Sequence, residues 1–120
     1  MGAKTILYAD DDPLMQRLVL AVLEHAGMAV TTSSNGVDAL GVLAERSFDV
    51  LITDIRMPKM TGFELAHRAK LLQPNLKVIY LSAHFSDAER STFPLYGVLM
   101  EKPVEPSKLR REVNRAIGSA

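Results

Sequence analysis

Five reactive side chains of this 120-residue chain stand at the ends of short apolar runs. They are the carboxylates of Asp10, Asp11 and Asp54, the Ser82 hydroxyl and the Lys102 ammonium. The carboxyl ends of parallel strands share one edge of a sheet, and ligands bind at that edge. If the runs are parallel strands, these five groups converge there.

The charge of this cluster predicts a divalent cation. The three aspartates sum to −3 and Lys102 returns only +1. Like charges about 4 Å apart in a half-buried site repel by several kcal/mol. All-oxygen ligands suit Mg²⁺ or Mn²⁺. A carboxylate beside such an ion is a candidate phosphoryl acceptor, because aspartyl phosphates are known covalent intermediates. No glycine-rich phosphate loop is present, so the ion, Lys102 and Ser82 would have to hold the phosphate.

Strand-length apolar runs alternate with helical patterns along the whole chain. The predicted strands span 4–9, 28–33, 48–53, 77–82 and 97–101. The predicted helices span 13–26, 36–46, 62–72 and 106–117, with a short, weak helix over 86–96 that Pro94 interrupts. The near-continuous hydrophobicity of the middle strands indicates a parallel sheet covered on both faces. This alternation predicts an α/β fold with a doubly wound, five-stranded parallel sheet.

The first helix has clear start and stop signals. Asp12 reads as its N-cap, Pro13 as its first residue and Gly27 as its C-terminal glycine. Asp12 therefore belongs to the helix start rather than to the cluster. The residues predicted on its apolar face are Leu14, Met15, Leu18, Val19, Val22 and Leu23. On other helical faces, His25 and His67 are expected to face solvent.

Length and composition limit the number of domains, the class of partner and the expected localisation. The length suits a single domain over 1–120, with a core over 4–117, and 48% of the residues are hydrophobic. Acidic and basic residues number 14 each, which argues against nucleic-acid binding through bulk charge. There is no cysteine, no signal peptide pattern and no run near the roughly 18 apolar residues of a membrane span. We expect a soluble cytoplasmic domain with no membrane partner.

Four motifs in order resemble the receiver domains of response regulators in two-component signalling, such as chemotaxis regulators. They are ILYADDDP, DVLITDIRMPKMTGFEL, VIYLSA and EKP, and the resemblance extends over 4–117. It implies a flavodoxin-like (βα)5 fold with strand order 2-1-3-4-5. It also implies a phosphoacceptor module rather than an enzyme, with only slow Mg²⁺-dependent self-phosphorylation and autodephosphorylation.

The resemblance assigns roles around the metal. It makes Asp54 the phosphoacceptor and also a metal ligand. Asp11 would bind Mg²⁺ (or Mn²⁺) directly, Asp10 would bind it through water, and the backbone carbonyl of Arg56 would add a ligand. Arg56 and His84, two residues beyond Asp54 and Ser82, would flank the approach of water and tune autodephosphorylation.

The resemblance also assigns the switch. Ser82 would be the hydroxyl that bonds the phosphoryl group, and Lys102 would pair with that group and precede a cis peptide. Receivers commonly carry an aromatic residue three positions before the lysine, where this chain has Leu99. Either Tyr96 or Phe93 replaces that aromatic residue, or this chain has no aromatic residue that acts together with Ser82 in the switch.

By the same resemblance, the phosphodonor would be a histidine kinase or a histidine phosphotransfer protein, and an unidentified protein would receive the signal. Two other classes stay open. One is a pseudo-receiver that binds partners without phosphorylation. The other is a small phosphohydrolase with an aspartate nucleophile, suggested by the Asp10-x-Asp12 pattern, although Leu14 stands where that motif wants Thr or Val.

Overall fold

A computed structural model describes residues 2–84, 86 and 91–118. It contains one parallel sheet in the order β2-β1-β3-β4-β5, which confirms the predicted doubly wound, flavodoxin-like fold. The strands are β1 (Thr5–Ala9), β2 (Ala29–Ser33), β3 (Val50–Asp54), β4 (Lys77–Ser82) and β5 (Gly97–Glu101). The helices among the described residues are α1 (Pro13–His25), α2 (Gly36–Glu45), α3 (Gly62–Leu72) and α4 (Pro106–Gly118).

Helices cover both faces of the sheet, as the apolar central strands require. On one face, α1 and α4 pack through Val19, Leu23, Leu109 and Val113. On the other, α2 and α3 pack through Ala39, Leu43, Leu65 and Ala69. No helix in the described part of the chain is long and apolar enough to cross a membrane.

The start of α1 is as predicted, but its apolar face is narrower. The Asp12 side chain accepts the backbone N–H of Leu14 at 2.9 Å, and Pro13 is the first helical residue. Leu14 and Leu18, both predicted inward, are 73% and 41% exposed. The sheet covers only the stripe centred on Val19 and Leu23, so apolar residues on the flanks of a wide helical face stay in solvent.

Two other boundaries differ from the prediction. Strand β3 begins and ends later than 48–53, so Asp54 is its last residue and not the residue after it. The predicted weak helix over 86–96 lies partly outside the described residues, because 87–90 are not described. Over 91–96 the chain is not helical, in keeping with Pro94.

Candidate functional site

Adjacent strands bring the three carboxylates together. Ala9 of β1 is in register with Thr53 of β3, so Asp10 and Asp54 follow side by side. Asp10 is fully buried, Asp54 is 8% exposed, and Asp11 is exposed. One carboxylate oxygen from each of the three lies within 4.8 Å of the others. The convergence predicted from the shared edge of a parallel sheet is therefore present for the three carboxylates.

Lys102 completes this group, which we call the acidic edge (Asp10, Asp11, Asp54 and Lys102). Its backbone N–H donates to the carbonyl of Ser82 at 2.7 Å, which extends the pairing of β5 with β4. Its Nζ lies 3.2 Å from Asp10 Oδ2 and 3.3 Å from Asp54 Oδ1. The long side chain thus crosses β4 to reach both carboxylates. The peptide bond between Lys102 and Pro103 is cis, as predicted.

Asp10 is held by more than Lys102. Its Oδ1 accepts the backbone N–H of Asp12 at 2.9 Å, and its Oδ2 accepts the hydroxyl of Tyr8. Sequence reasoning missed Tyr8, which it read as one more apolar strand residue. The available signal was spacing, because residues two apart in a strand point to the same face.

Electrostatics at the acidic edge favour a positive charge. Burial, and then repulsion from Asp10, raises the pKa of Asp54, while Lys102 and the backbone N–H of Ile55 oppose that rise. Burial alone would lower the pKa of Lys102, but attraction to Asp54 and Asp10 outweighs it and raises that pKa. Lys102 therefore stays an ammonium and offsets part of the negative charge.

The donor set fits a hard divalent cation. The clustered ligand atoms are carboxylate oxygens, which Mg²⁺ and Mn²⁺ prefer. The exposure of Asp11 gives one side of the cluster access to solvent. Asp12, by contrast, is committed to the N-terminus of α1.

Ser82 and His84 form a tight turn after β4. The buried Ser82 hydroxyl donates to the carbonyl of His84 at 2.6 Å and accepts the N–H of the same residue at 3.1 Å. His84 and Arg56 are both exposed residues. Their tuning role, the Arg56 carbonyl ligand and the switch role of Ser82 stay predictions.

The loop after β3 packs directly against the acceptor strand. The N–H of Gly62 donates to the carbonyl of Ile55 at 2.8 Å. A Cβ atom built on Gly62 would lie 2.1 Å from the carbonyl oxygen of Asp54, far inside van der Waals contact. Only glycine lets α3 begin this close to the acceptor residue.

A second cluster, which we call the aromatic side, lies between α3 and β5 and comprises His67, Tyr80, Phe93, Tyr96 and Leu99. The Nδ1 of His67 lies 2.7 Å from the hydroxyl of Tyr96, and its ring centroid lies 4.9 Å from that of Phe93. The expectation that His67 faces solvent is therefore wrong, because α3 turns it toward the segment before β5. Leu99 is half-buried in the same cluster. Its switch role stays a prediction.

Comparison with known proteins agrees with this architecture. The sequence profile described as "Response regulator receiver domain" matches residues 6–114. The chain is 37% identical over 119 residues to the response regulator receiver protein CpdR of Brucella abortus, covering 98% of this chain and 99% of that protein. The chain therefore belongs to the receiver domain family of response regulators, which are signalling domains of two-component systems and, broadly, not enzymes.

Solved structures give the same class. The response regulator receiver protein of Sinorhizobium medicae superposes with a TM-score of 0.89 at 29% identity, covering 98% of this chain and 96% of that one. The response regulator TrrA of Thermotoga maritima, solved in complex with Mg²⁺ and BeF, has a TM-score of 0.81 at 28% identity, covering 94% and 98%. Other curated relatives are longer, and the chain spans only 26% of a transcriptional regulator and 11% of a sensor histidine kinase.

Proposed function

We propose that this receiver domain takes a phosphoryl group onto Asp54 in a Mg²⁺-dependent reaction and passes the signal to a downstream protein. The observation that carries the proposal is the placement of Lys102 Nζ within 3.3 Å of both Asp10 and Asp54, beside three clustered carboxylates. A nucleophilic carboxylate, a fixed cation and a cation-binding oxygen set are the parts that phosphoryl transfer needs.

Asp10, Asp11 and Asp54 would hold the metal, with the Arg56 carbonyl as a further ligand. When bound, Mg²⁺ supplies positive charge that stabilises the phosphoryl oxygens in the transition state. A carboxylate oxygen of Asp54 attacks phosphorus as the bond to the histidine nitrogen of the donor breaks, and the imidazole leaves with that electron pair. The donor would be a histidine kinase or a histidine phosphotransfer protein.

Lys102 does two things in this reaction. Before transfer, it opposes the rise in the pKa of Asp54 that burial and Asp10 cause, which favours the ionised, nucleophilic carboxylate. During transfer, its ammonium lies beside the acceptor oxygen, where negative charge gathers on the phosphoryl group. The Ser82 hydroxyl would then bond the attached group, which requires it to exchange its present contact with the His84 carbonyl.

Intact mass spectrometry tests the proposal. Incubation with Mg²⁺ and acetyl phosphate should add one phosphoryl group to the protein, and Asp54→Asn should abolish the gain. Asp12→Asn is the matched control, because asparagine also caps helices and Asp12 is not one of the clustered carboxylates. No adduct on the folded wild type would favour a pseudo-receiver. Sustained release of phosphate that depends on Asp10 would favour a phosphohydrolase.

Autodephosphorylation gives a second test of the same site. Arg56 and His84 are both exposed and both stand two residues after a proposed reacting group. We propose that they limit the access of water to the acyl phosphate. Trimming both to alanine should change the rate of phosphate loss, followed by intact mass. An unchanged rate would refute this role.

A further inference from the structure

Tyr8 is a buried tyrosine aimed at the acidic edge from inside the core. Its side chain is fully buried, among Ile6, Ile52 and neighbouring apolar residues. Its hydroxyl donates to Asp10 Oδ2. A phenylalanine would fill the same space, so packing alone does not explain a hydroxyl at this point.

The acceptor sites of Asp10 can be counted. A carboxylate offers about four lone-pair sites, two on each oxygen. On Oδ2, one site accepts Tyr8 and the other faces Lys102 Nζ at 3.2 Å. On Oδ1, one accepts the backbone N–H of Asp12 at 2.9 Å. With the partners that the described residues supply, one site is then left on Oδ1.

We propose that Tyr8 is a positioning residue for the cation site: its hydroxyl fixes the Asp10 carboxylate so that a single Oδ1 acceptor site faces the divalent ion or a water bound to it. This inference rests on the proposed function, since it concerns the same Mg²⁺ site. It adds a regulator of metal affinity that does not itself touch the metal.

Two features make the contact suited to positioning. The Tyr8 ring cannot move without disturbing the core around Ile6 and Ile52, so the hydroxyl is a fixed point. Lys102 is a long, flexible side chain that Asp10 shares with Asp54. Without the Tyr8 hydroxyl, the Oδ2 atom of Asp10 would be oriented only by Lys102, which also contacts Asp54.

Tyr8→Phe tests the proposal, with Tyr80→Phe as the matched control. Tyr80 is also fully buried, but its hydroxyl accepts the backbone N–H of Tyr96 at 3.1 Å and bonds to no carboxylate among the described residues. Losing a group that orients a metal ligand typically weakens metal affinity 10- to 100-fold. We therefore expect calorimetric titration with MgCl₂ to give a Kd about 10-fold or more higher for Tyr8→Phe, and an unchanged Kd for Tyr80→Phe. Equal affinities in all three proteins would overturn the proposal.

A double-mutant cycle separates positioning from general loosening of the core. Asp10→Asn removes the charged carboxylate through which Tyr8 would act. In that background, Tyr8→Phe should change the Mg²⁺ affinity little, because the two residues are coupled. The same fold-loss in both backgrounds would show that Tyr8 acts through packing and would refute its role on Asp10.

A measurement on the wild type keeps the test independent of how the variants fold. The chain has only three tyrosines, so Cζ-labelled tyrosine gives three carbon signals, assignable with Tyr80→Phe and Tyr96→Phe. The Tyr8 signal should shift as Mg²⁺ binds, and a static signal at saturation would contradict the proposal. A wild type that binds no Mg²⁺ would instead refute the proposed function itself.

Discussion

The acidic edge and the aromatic side are built by different kinds of force. At the acidic edge, three carboxylates and one ammonium are held by charge and hydrogen bonds at the ends of β1, β3 and β5. On the aromatic side, His67, Phe93 and Tyr96 are held mainly by packing. The hydrogen bonds there join the His67 ring to the Tyr96 hydroxyl and the Tyr96 N–H to the Tyr80 hydroxyl. Each position of the acidic edge demands one residue type, whereas packing accepts several.

This difference bears on the one departure from the family pattern that the sequence shows at the switch. Leu99 stands where an aromatic residue is common, yet it packs with Phe93 and Tyr96 around Tyr80. The aromatic rings in this cluster come from Tyr96 and Phe93, three and six residues earlier in the chain. No such replacement is available for Asp54 or Lys102, because a charge displaced by one residue would point to the opposite face of the sheet.

The largest expected effect separates two neighbours in the DDD run. Asp11→Ala should abolish Mg²⁺ binding, because it removes the exposed carboxylate of the cluster. Asp12→Ala should leave Mg²⁺ affinity unchanged, because Asp12 reaches Asp10 only through its backbone N–H. It should lower the free energy of unfolding by about 1 kcal/mol through the lost cap. Calorimetry measures the Mg²⁺ affinity of both variants, and urea unfolding measures their stability. Loss of Mg²⁺ binding in Asp12→Ala would contradict the assignment of Asp11 to the metal and Asp12 to the helix cap.

The next largest expected effect distinguishes two glycine substitutions. Gly62→Ala would push a Cβ atom against the Asp54 carbonyl, so we expect a loss of about 3 kcal/mol of stability and a weaker phosphoryl transfer. In α2, the carbon added by Gly41→Ala would meet no described atom within 4 Å beyond its chain neighbours and its own helix backbone, so this change should stabilise the fold by about 0.5 kcal/mol. Urea midpoints compare the two. Equal stability of both variants would show that α3 does not press on the acceptor.

The raised pKa of Asp54 predicts a smaller, pH-dependent effect in metal-free protein. A carboxyl whose pKa is higher in the folded state stabilises the fold fully only when protonated, and that stability is lost as pH rises through the folded-state pKa. Asp54→Asn should therefore melt above the wild type at about pH 7, with the gap closing as pH falls toward the ordinary carboxyl pKa of about 3.9. Saturating Mg²⁺ should also reduce the gap, since it binds and stabilises the folded wild type. If the difference in melting temperature between Asp54→Asn and the wild type instead widened at low pH, the raised pKa of Asp54 would be contradicted.

The smallest effect belongs to the aromatic side. Tyr96→Phe removes the 2.7 Å hydrogen bond to His67 and should cost about 1 kcal/mol of stability. It should leave Mg²⁺ affinity and phosphoryl transfer from acetyl phosphate unchanged. Unfolding curves and intact mass test both halves. A reduced phosphoryl gain would mean that the two regions are already coupled before phosphorylation.

The contrast between the acidic edge and the aromatic side also explains which features could be predicted from the sequence. The alternation of strands and helices, the Asp12 cap and the meeting of Asp10, Asp54 and Lys102 follow from periodicity, local start signals and the shared edge of a parallel sheet. The order of the strands within the sheet was expected from the family resemblance. The inward turn of His67 and the exposure of Leu14 do not, because they depend on how far a helix rotates against its neighbours. The hydrogen bond of the Tyr8 hydroxyl could not be predicted for another reason. In an apolar strand, a tyrosine contributes to the hydrophobic pattern whether or not its oxygen has a partner.

The central claim is that Asp54, and no other carboxylate of the acidic edge, accepts the phosphoryl group. The most direct measurement is to treat the protein with Mg²⁺ and acetyl phosphate, reduce the acyl phosphate with borohydride, and sequence the peptides by mass spectrometry. Reduction converts a phosphorylated aspartate to homoserine. We expect homoserine at position 54 alone, whereas homoserine at position 10 or 11, or at no position of a folded and Mg²⁺-bound protein, would contradict the account.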